Sequence, residues 1–163
     1  MTIRPAATAD LPAIFRLYEE ARDFMRRSGN PRQWKTTEPR RETVEEDLRL
    51  GRLYLCVEGE TLLAAFCFFI GEDPTYRTLL SGAWLNERPY GVIHRIAVAN
   101  EAKGRGVAAA CFAYGFSRCG NLKIDTHRDN RPMQRALEKN GFVFCGTVRL
   151  ENGEERMGFQ KEA

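Results

Sequence analysis

The most informative segment of the sequence is Val92-Ile93-His94-Arg95-Ile96-Ala97-Val98-Ala99-Asn100-Glu101-Ala102-Lys103-Gly104-Arg105-Gly106-Val107-Ala108. An apolar strand here leads into a glycine-bearing loop, and the loop opens a helix of small residues. Gly104 and Gly106 let the main chain approach a ligand closely, and free amides at a helix start favour an anion. Lys103 and Arg105 add positive potential. The pattern predicts a cradle that fits a pyrophosphate.

Two other classes of glycine-rich phosphate loop are excluded. The dinucleotide-binding fingerprint needs three glycines after a first strand, and the nucleoside-triphosphate loop ends in Gly-Lys-Ser or Gly-Lys-Thr, which is absent here. A Gly-x-Gly before a helix is by itself a weak pattern, and a loop that merely needs two small residues remains the alternative.

The elements around this stretch predict a mixed α/β fold. Apolar periodicity predicts strands over residues 3–6, 53–57, 61–70, 91–98, 122–126, 142–150 and 155–161. It predicts helices over residues 8–25, 43–50, 107–118 and 130–141, whereas residues 71–88 show no clear periodicity. No linker or internal repeat interrupts the pattern, so we expect a single domain over residues 1–163.

The composition argues against several classes of protein. With 43% hydrophobic and 29% charged residues among 163, the chain resembles an ordinary globular protein. Its net charge of +3 does not indicate a nucleic-acid partner. The longest apolar run, residues 62–70, is about half a membrane span and the N-terminus lacks a signal-peptide core, so we expect a cytoplasmic protein with no membrane partner. Five cysteines without a Cys-x-x-Cys pair and only two histidines predict reduced thiols and no metal.

The central stretch resembles the cofactor motif of the GNAT superfamily of N-acetyltransferases, an apolar strand followed by Arg/Gln-x-x-Gly-x-Gly/Ala. Ile3-Arg4-Pro5-Ala6 with Asp10-Leu11 is similar to the family's opening, and Asn130-x-x-Met133 through Gly141-Phe142 to its closing helix. The resemblance implies a twisted mixed sheet of about seven strands flanked by helices, splayed between the fourth and fifth strands. It also implies acetyl transfer from acetyl-CoA to a primary amine of a small molecule or peptide within a ternary complex.

The resemblance assigns a cofactor role to ten residues. They are Ile96, Ala97 and Val98 for the pantetheine arm, Lys103, Gly104, Arg105, Gly106, Val107 and Ala108 for the pyrophosphate, and Asn130 on the other side. Two positions depart from the family pattern. Glu101 stands where the family has Arg or Gln, and Leu137 stands where many members carry the tyrosine that protonates the leaving thiolate. A tyrosine at Leu137 is expected to meet the cofactor.

Three residues are candidates for the chemistry. The backbone amide of Val98 is expected to stabilise negative charge on the thioester oxygen. Strand alternation places His94, Ile96 and Val98 on one face, which makes His94 a candidate base, with a hydrogen-bonded core histidine as the alternative. His127, at the end of the next strand, is the rival base.

The acceptor pocket of the resembling family lies between its first two helices, where this chain carries Gln33, Trp34 and Glu38. Trp34 is expected to contact substrate or to pin a loop onto the core. Asp125 shares a face with His127 and is a further substrate candidate, with a solvated turn as the alternative. A CoA-binding sensor, transfer of another acyl group and a homodimer stay open.

Overall fold

The computed structural model describes residues 1–163, arranged as eight strands and four helices. The strands are β1 (Thr2–Pro5), β2 (Leu53–Glu58), β3 (Thr61–Ile70), β4 (Ser81–Gly82), β5 (Gly91–Val98), β6 (Asn121–Thr126), β7 (Val143–Arg149) and β8 (Glu155–Glu162). The helices are α1 (Leu11–Arg27), α2 (Arg41–Arg49), α3 (Val107–Cys119) and α4 (Arg131–Lys139). None of the helices is both long enough and apolar enough to cross a membrane.

All eight strands form one sheet in the order β1-β2-β3-β5-β6-β8-β7-β4. Only β5 and β6 pair in parallel. The predicted mixed α/β fold is confirmed, and the strand beyond the predicted seven is the two-residue β4, which lies in the stretch without periodicity. A strand of two residues is too short to show a period.

The helices cover both faces of the sheet. Tyr114 of α3 packs against Phe66 and Phe68 of β3. Cys67, which lies between them and faces the other way, lies beside Asp47 of α2, and its burial there raises the pKa of the thiol to about 12. Cys67 is therefore a buried thiol, as the sequence predicts.

The sheet opens between β5 and β6. The two strands are paired only at Gly91↔Leu122 and Val92↔Lys123, at the start of β5. From there β6 remains paired with β8 to its end, while the second half of β5 has no neighbour on that side. The predicted splay is confirmed. The two strands beside it are the fifth and sixth rather than the fourth and fifth, because the additional strand β4 precedes them.

A β-bulge interrupts β5 at Arg95. Residue 95 has a positive φ of 51°, and the register against β3 changes from Cys67↔His94 to Ala65↔Ala97, so one extra residue is inserted in β5. The side chain of Tyr18 and an ion pair hold the bulge, because the Tyr18 hydroxyl donates to the Arg95 carbonyl at 2.7 Å. The Arg95 guanidinium donates to both oxygens of Asp47, at 2.8 and 2.9 Å.

The bulge reverses the alternation of side chains along β5. His94 and Ala97 oppose Cys67 and Ala65, which share a face of β3, whereas Val98 opposes Ala64 on the other face. The prediction that His94 and Val98 share a face is therefore wrong. It assumed an uninterrupted period of two.

Candidate active site

A groove of about 360 Å³ runs along the end of β5, the loop before α3 and the start of α4. We call it the glycine-loop groove. It is lined by nine of the ten residues that the resemblance assigns to the cofactor: Ile96, Ala97, Val98, Lys103, Gly104, Gly106, Val107, Ala108 and Asn130.

The loop presents a run of free backbone donors to this groove. The amides of residues 104–109 donate no hydrogen bond within the protein, and no side chain caps the start of α3. Gly104 and Gly106 adopt positive φ values of 81° and 77°, and a Cβ on either would meet no protein atom within 4 Å. Free amides at a helix N-terminus bind anions. The loop therefore fits the pyrophosphate of CoA.

The two cations of the loop lie in different places. Lys103 lines the groove, where its ammonium donates to Asn100 Oδ1 at 2.6 Å and lies 3.3 Å from the centre of the Phe24 ring. Burial lowers the pKa of Lys103. The Arg105 guanidinium instead donates to Glu58 at 2.8 Å, and its side chain does not line the groove. The structure therefore places the Arg105 side chain outside the groove, and its contact with the cofactor stays a prediction.

The backbone amide of Val98 points toward the splay. The Ala99 amide donates to the Leu63 carbonyl at 2.8 Å, so these two residues form a hydrogen-bonded pair of the antiparallel ladder. Such pairs alternate, and the next pair, Ala64 and Val98, is not hydrogen-bonded. The Val98 amide is thus directed away from β3, into the gap beside β6.

A second cavity of about 500 Å³ lies on the other side of β5 and is called the His94 cleft. Met25, Ile96, Asn130 and Met133 line both it and the glycine-loop groove, so the two cavities adjoin. All three acceptor candidates, Gln33, Trp34 and Asp125, line the His94 cleft, as do His94 and Glu38.

His94 is held by a carboxylate. Its Nε2 lies 2.7 Å from Asp73 Oδ2, and Asp73 Oδ1 accepts hydrogen bonds from Thr75 N and Oγ1 at 3.0 and 2.8 Å. Burial opposes ionisation of Asp73, but the hydrogen bonds from His94 and Thr75 outweigh it and lower its pKa to about 2. An ionised Asp73 can only accept, so Nε2 carries the proton and Nδ1 of a neutral His94 keeps a free lone pair.

The interaction between His94 and Asp73 is expected to stabilise the folded protein in a pH-dependent way. A carboxyl with a folded pKa of about 2 and an unfolded pKa of about 3.9 stabilises the fold above pH 4, and this stabilisation is lost as the pH falls toward 2. We expect Asp73→Asn to lower the free energy of unfolding by about 2 kcal/mol at pH 7. Urea unfolding at pH 7 and pH 3 measures this. A difference from wild type that is as large at pH 3 as at pH 7 would contradict the assigned shift.

His127 does not reach either cavity. It is 7% exposed, and its Nδ1 accepts a hydrogen bond from the Asp129 amide at 3.0 Å, which closes the turn before α4. Burial and the neighbouring Arg156 guanidinium lower the pKa of His127. In this structure His127 therefore stabilises a turn and does not lie in the cleft where a base is needed.

Asp125 lies in the His94 cleft with one oxygen free. Its Oδ2 accepts from the Tyr76 hydroxyl at 2.5 Å, while Oδ1 has no partner in the protein. Burial, together with the charge of Asp125, raises the pKa of Tyr76 well above its usual value. Tyr76 therefore stays protonated and fixes the carboxylate that faces the cleft.

The loop after α1 forms the opposite wall. Gln33 Oε1 accepts from the side-chain amides of Asn30 and Asn130, both at 3.0 Å, and so ties the loop to the start of α4. Trp34 is 8% exposed and packs edge-on against Tyr18, with 5.6 Å between the ring centres. Its indole N–H has no partner within the protein, so the residue both anchors the loop and offers a donor to the cleft.

The sequence interpretation missed Asp73 and Tyr76, which come from the stretch without periodicity. They belong to a short 3₁₀ turn, Pro74–Tyr76, which Asp73 caps with its side chain. One signal was available, because an aspartate directly before a proline is typical of a helix start. It locates the turn but not its contact with His94.

Leu137 is fully buried in the core and does not line the glycine-loop groove. The expectation that a tyrosine at this position meets the cofactor is wrong, because Leu137 faces inward while Met133 and Ala136 face the groove. No tyrosine or cysteine lines either cavity.

No group of three His, Cys, Asp or Glu side chains is placed to hold a metal ion.

We therefore expect Leu137→Tyr to lower the free energy of unfolding by about 1–3 kcal/mol through overpacking, without raising turnover. Ala136→Tyr is the matched control: its ring would enter the groove, weaken CoA binding and cost little stability. Thermal unfolding and a CoA titration separate the two. Faster turnover by Leu137→Tyr would show that its ring does reach the thioester.

Comparison with known proteins identifies the family. The family model for the acetyltransferase (GNAT) family matches residues 13–142. A GNAT-family acetyltransferase from Streptococcus agalactiae is similar, with 30% identity and a TM-score of 0.88 over 99% of this chain and 95% of that one. No curated protein matches the sequence.

More distant solved structures share the fold. A ribosomal-protein-alanine N-acetyltransferase from Brucella melitensis is 20% identical with a TM-score of 0.63, and the match covers 100% of both chains. The NatC complex bound to Gag peptide and CoA has a chain that is 15% identical with a TM-score of 0.61, covering 99% of this chain and 98% of that one. The family model spans most of the sequence, and the glycine-loop groove lies within it: this chain belongs to the GNAT family of acetyltransferases.

Proposed function

We propose that the protein transfers an acetyl group from acetyl-CoA to a primary amine of a small molecule or peptide, with His94 as the general base. The observation that carries the proposal is that the two cavities adjoin and share four lining residues, which puts a carboxylate-held histidine beside the groove that fits CoA. Two structural relatives support it: one is an N-acetyltransferase and the other holds CoA with a peptide.

At the donor end, the residues of the protein bind and orient acetyl-CoA. Acetyl-CoA supplies an activated thioester when bound. The free amides of residues 104–109 and the Lys103 ammonium would hold its pyrophosphate. The Val98 amide, directed into the gap beside β6, is placed to donate to the thioester oxygen as negative charge develops on it.

At the acceptor end the chain moves a proton. An alkylammonium with a pKa of about 10 must lose a proton before it can attack. His94 Nδ1 can take that proton directly or through one water, while Nε2–H remains bonded to the ionised Asp73 and fixes the ring orientation. Asp73 is thus a positioning residue that also stabilises the protonated imidazole.

Carboxylates favour a cationic acceptor in the His94 cleft. Asp125 keeps Oδ1 free, and Glu38 is partly exposed at the rim, where its Oε1 lies 3.6 Å from Arg40 Nε. Of the cations that line the same cleft, Arg95 is paired with Asp47, and Lys35 and Arg156 share the single carboxylate of Glu154. The lining of the cleft contains three Lys or Arg side chains and five carboxylates, Glu38, Asp73, Asp125, Glu151 and Glu154, so its net charge with a neutral His94 is negative and attracts an ammonium group.

The chain provides no evident acid for the leaving group. A thiol has a pKa of about 8.5, so it can leave as a thiolate at neutral pH without a tyrosine. The lack of a tyrosine or cysteine in both cavities is therefore compatible with turnover.

The deciding experiment measures thiol release from acetyl-CoA over a panel of amines, with succinyl-CoA as a second donor. We expect turnover with acetyl-CoA and a cationic primary amine, and a raised KM for that amine in Asp125→Asn. Tight CoA binding with no turnover on any amine would support a sensor instead. Faster turnover with succinyl-CoA would assign the other acyl group.

A further inference from the structure

A third cavity, of about 410 Å³, shares no lining residue with the His94 cleft. We call it the Lys123 cavity. Tyr76, Trp84 and Tyr90 supply its aromatic walls, and Lys123 of β6 lies among them. Tyr76 separates it from the His94 cleft, since its hydroxyl reaches Asp125 on the other side. Apart from Tyr76, whose hydroxyl fixes Asp125, the proposed acetyl transfer uses no residue of the Lys123 cavity.

Lys123 is buried without a polar partner. The residue is 4% exposed, and its Nζ lies 3.9 Å from the centre of the Tyr90 ring and 4.3 Å from that of the Trp84 ring. It donates no hydrogen bond and belongs to no ion pair in the protein. An ammonium has three donors, and ring faces stabilise its charge without replacing a hydrogen-bond acceptor. Burial lowers the pKa of Lys123, and the nearby Cys145 and Glu72 offset this effect only in part.

The other charges of the cavity do not neutralise Lys123. Glu72 raises the pKa of Lys123 by its charge but makes no direct contact with it, because its carboxylate accepts a hydrogen bond from exposed Arg77 at 2.9 Å. Glu87 is exposed at the rim. The deep part of the cavity therefore holds one ammonium group between two aromatic rings, without a hydrogen-bond acceptor or an ion-pair partner. Burial of a charge is costly unless it is paired, so an anionic group from outside the chain is the natural partner.

We propose that the Lys123 cavity is a second ligand site, which binds a small carboxylate with an apolar body. The carboxylate accepts hydrogen bonds from Lys123 Nζ, and the apolar body lies against Trp84 and the neighbouring aromatic wall. Charge-assisted bonds of this kind are about twice as strong as neutral ones, and the cavity is large enough for a molecule of this class.

The charge of the site favours a carboxylate over a phosphate. A phosphate dianion is bound by several cations or by a run of free amides, as in the glycine-loop groove. The Lys123 cavity offers one free cation, and its other cation, Arg77, is engaged with Glu72. A single negative charge matches this arrangement.

Phenylacetate, 2-phenylethanol and inorganic phosphate are the probes for this site. Each is titrated into the full-length ¹⁵N-labelled protein while the indole N–H signals of Trp84 and Trp34 are followed, with Trp34→Phe used for assignment. We expect a saturable shift of the Trp84 signal with phenylacetate and little change at Trp34. The neutral alcohol and phosphate should each bind roughly tenfold more weakly or worse.

Lys123→Met tests the lysine, because methionine keeps the length and removes the charge. We expect its affinity for phenylacetate to fall roughly tenfold or more, while Lys161→Met, which removes a lysine near the Phe116 ring outside the cavity, leaves the affinity unchanged. Equal binding of phenylacetate and 2-phenylethanol to the native protein would overturn the proposal even if Lys123→Met fails to fold. Undiminished binding by a folded Lys123→Met, or tighter binding of phosphate, would overturn it as well.

Discussion

Replacing His94 by alanine is expected to lower kcat for acetyl transfer roughly 10²-fold or more, in line with the usual contribution of a general base. The affinity for acetyl-CoA should change far less, because His94 lines the acceptor cleft and not the glycine-loop groove. The acidic limb of the pH–rate profile should also disappear, since that limb reports deprotonation of the base. Steady-state kinetics across a pH series measure both effects.

His127→Ala is the matched control for this variant. His127 lines neither cavity, so its loss should leave the shape of the pH–rate profile unchanged and affect mainly stability, through the turn before α4. The opposite pattern, a normal pH–rate profile in His94→Ala and a flat one in His127→Ala, would give the role of base to His127 and refute the reading of the cleft. Asp73→Asn should fall between the two in kcat, because it removes the orienting group but keeps the imidazole.

Gly106→Glu is expected to weaken acetyl-CoA binding roughly 10²-fold or more. Position 106 begins α3, and a side chain there projects into space that is free of protein atoms, beside the free amides. A carboxylate at this point would occupy the anion site and repel the pyrophosphate. Isothermal titration with acetyl-CoA measures the loss of affinity.

The control for Gly106→Glu must carry the same backbone strain. Gly51, which follows α2, has a φ of 70° and is equally free of neighbours within 4 Å, but it lines neither cavity. Both variants should lose about 1 kcal/mol of stability from the positive φ, and only Gly106→Glu should lose CoA. Full acetyl-CoA affinity in a folded Gly106→Glu would place the pyrophosphate elsewhere.

Most of the glycine-loop groove could be predicted from the sequence because its parts are contiguous. A strand, a loop with two glycines and a helix start determine one another locally, so the backbone positions follow from the pattern. The side chain of Arg105 could not be placed in this way. It leaves the groove for Glu58, which is 47 residues away in the chain and comes close only once the sheet has formed.

The His94 cleft could be predicted only in part because its walls come from distant segments. Gln33 meets Asn130 across 97 residues, and Asp73 reaches His94 from a turn without periodicity. The sequence does not indicate the bulge at Arg95 either, because glycine and asparagine, not arginine, are the residues typical of a positive φ. Sequence reasoning identified His94 as a candidate, but it relied on an alternation that the strand does not keep.

That bulge makes the length of β5 as important as its composition. The strand behaves as two half-strands of opposite phase joined at Arg95, so His94 and Val98 serve different cavities although they lie four positions apart. Deleting Arg95 would restore one uniform phase and turn the His94 imidazole to the opposite face, away from the acceptor, with every other active-site residue still present. Point substitutions elsewhere in β5 conserve this phase, and only an insertion or deletion resets it. Within this strand, an insertion or deletion of one residue is therefore expected to disturb the site more than most point substitutions do.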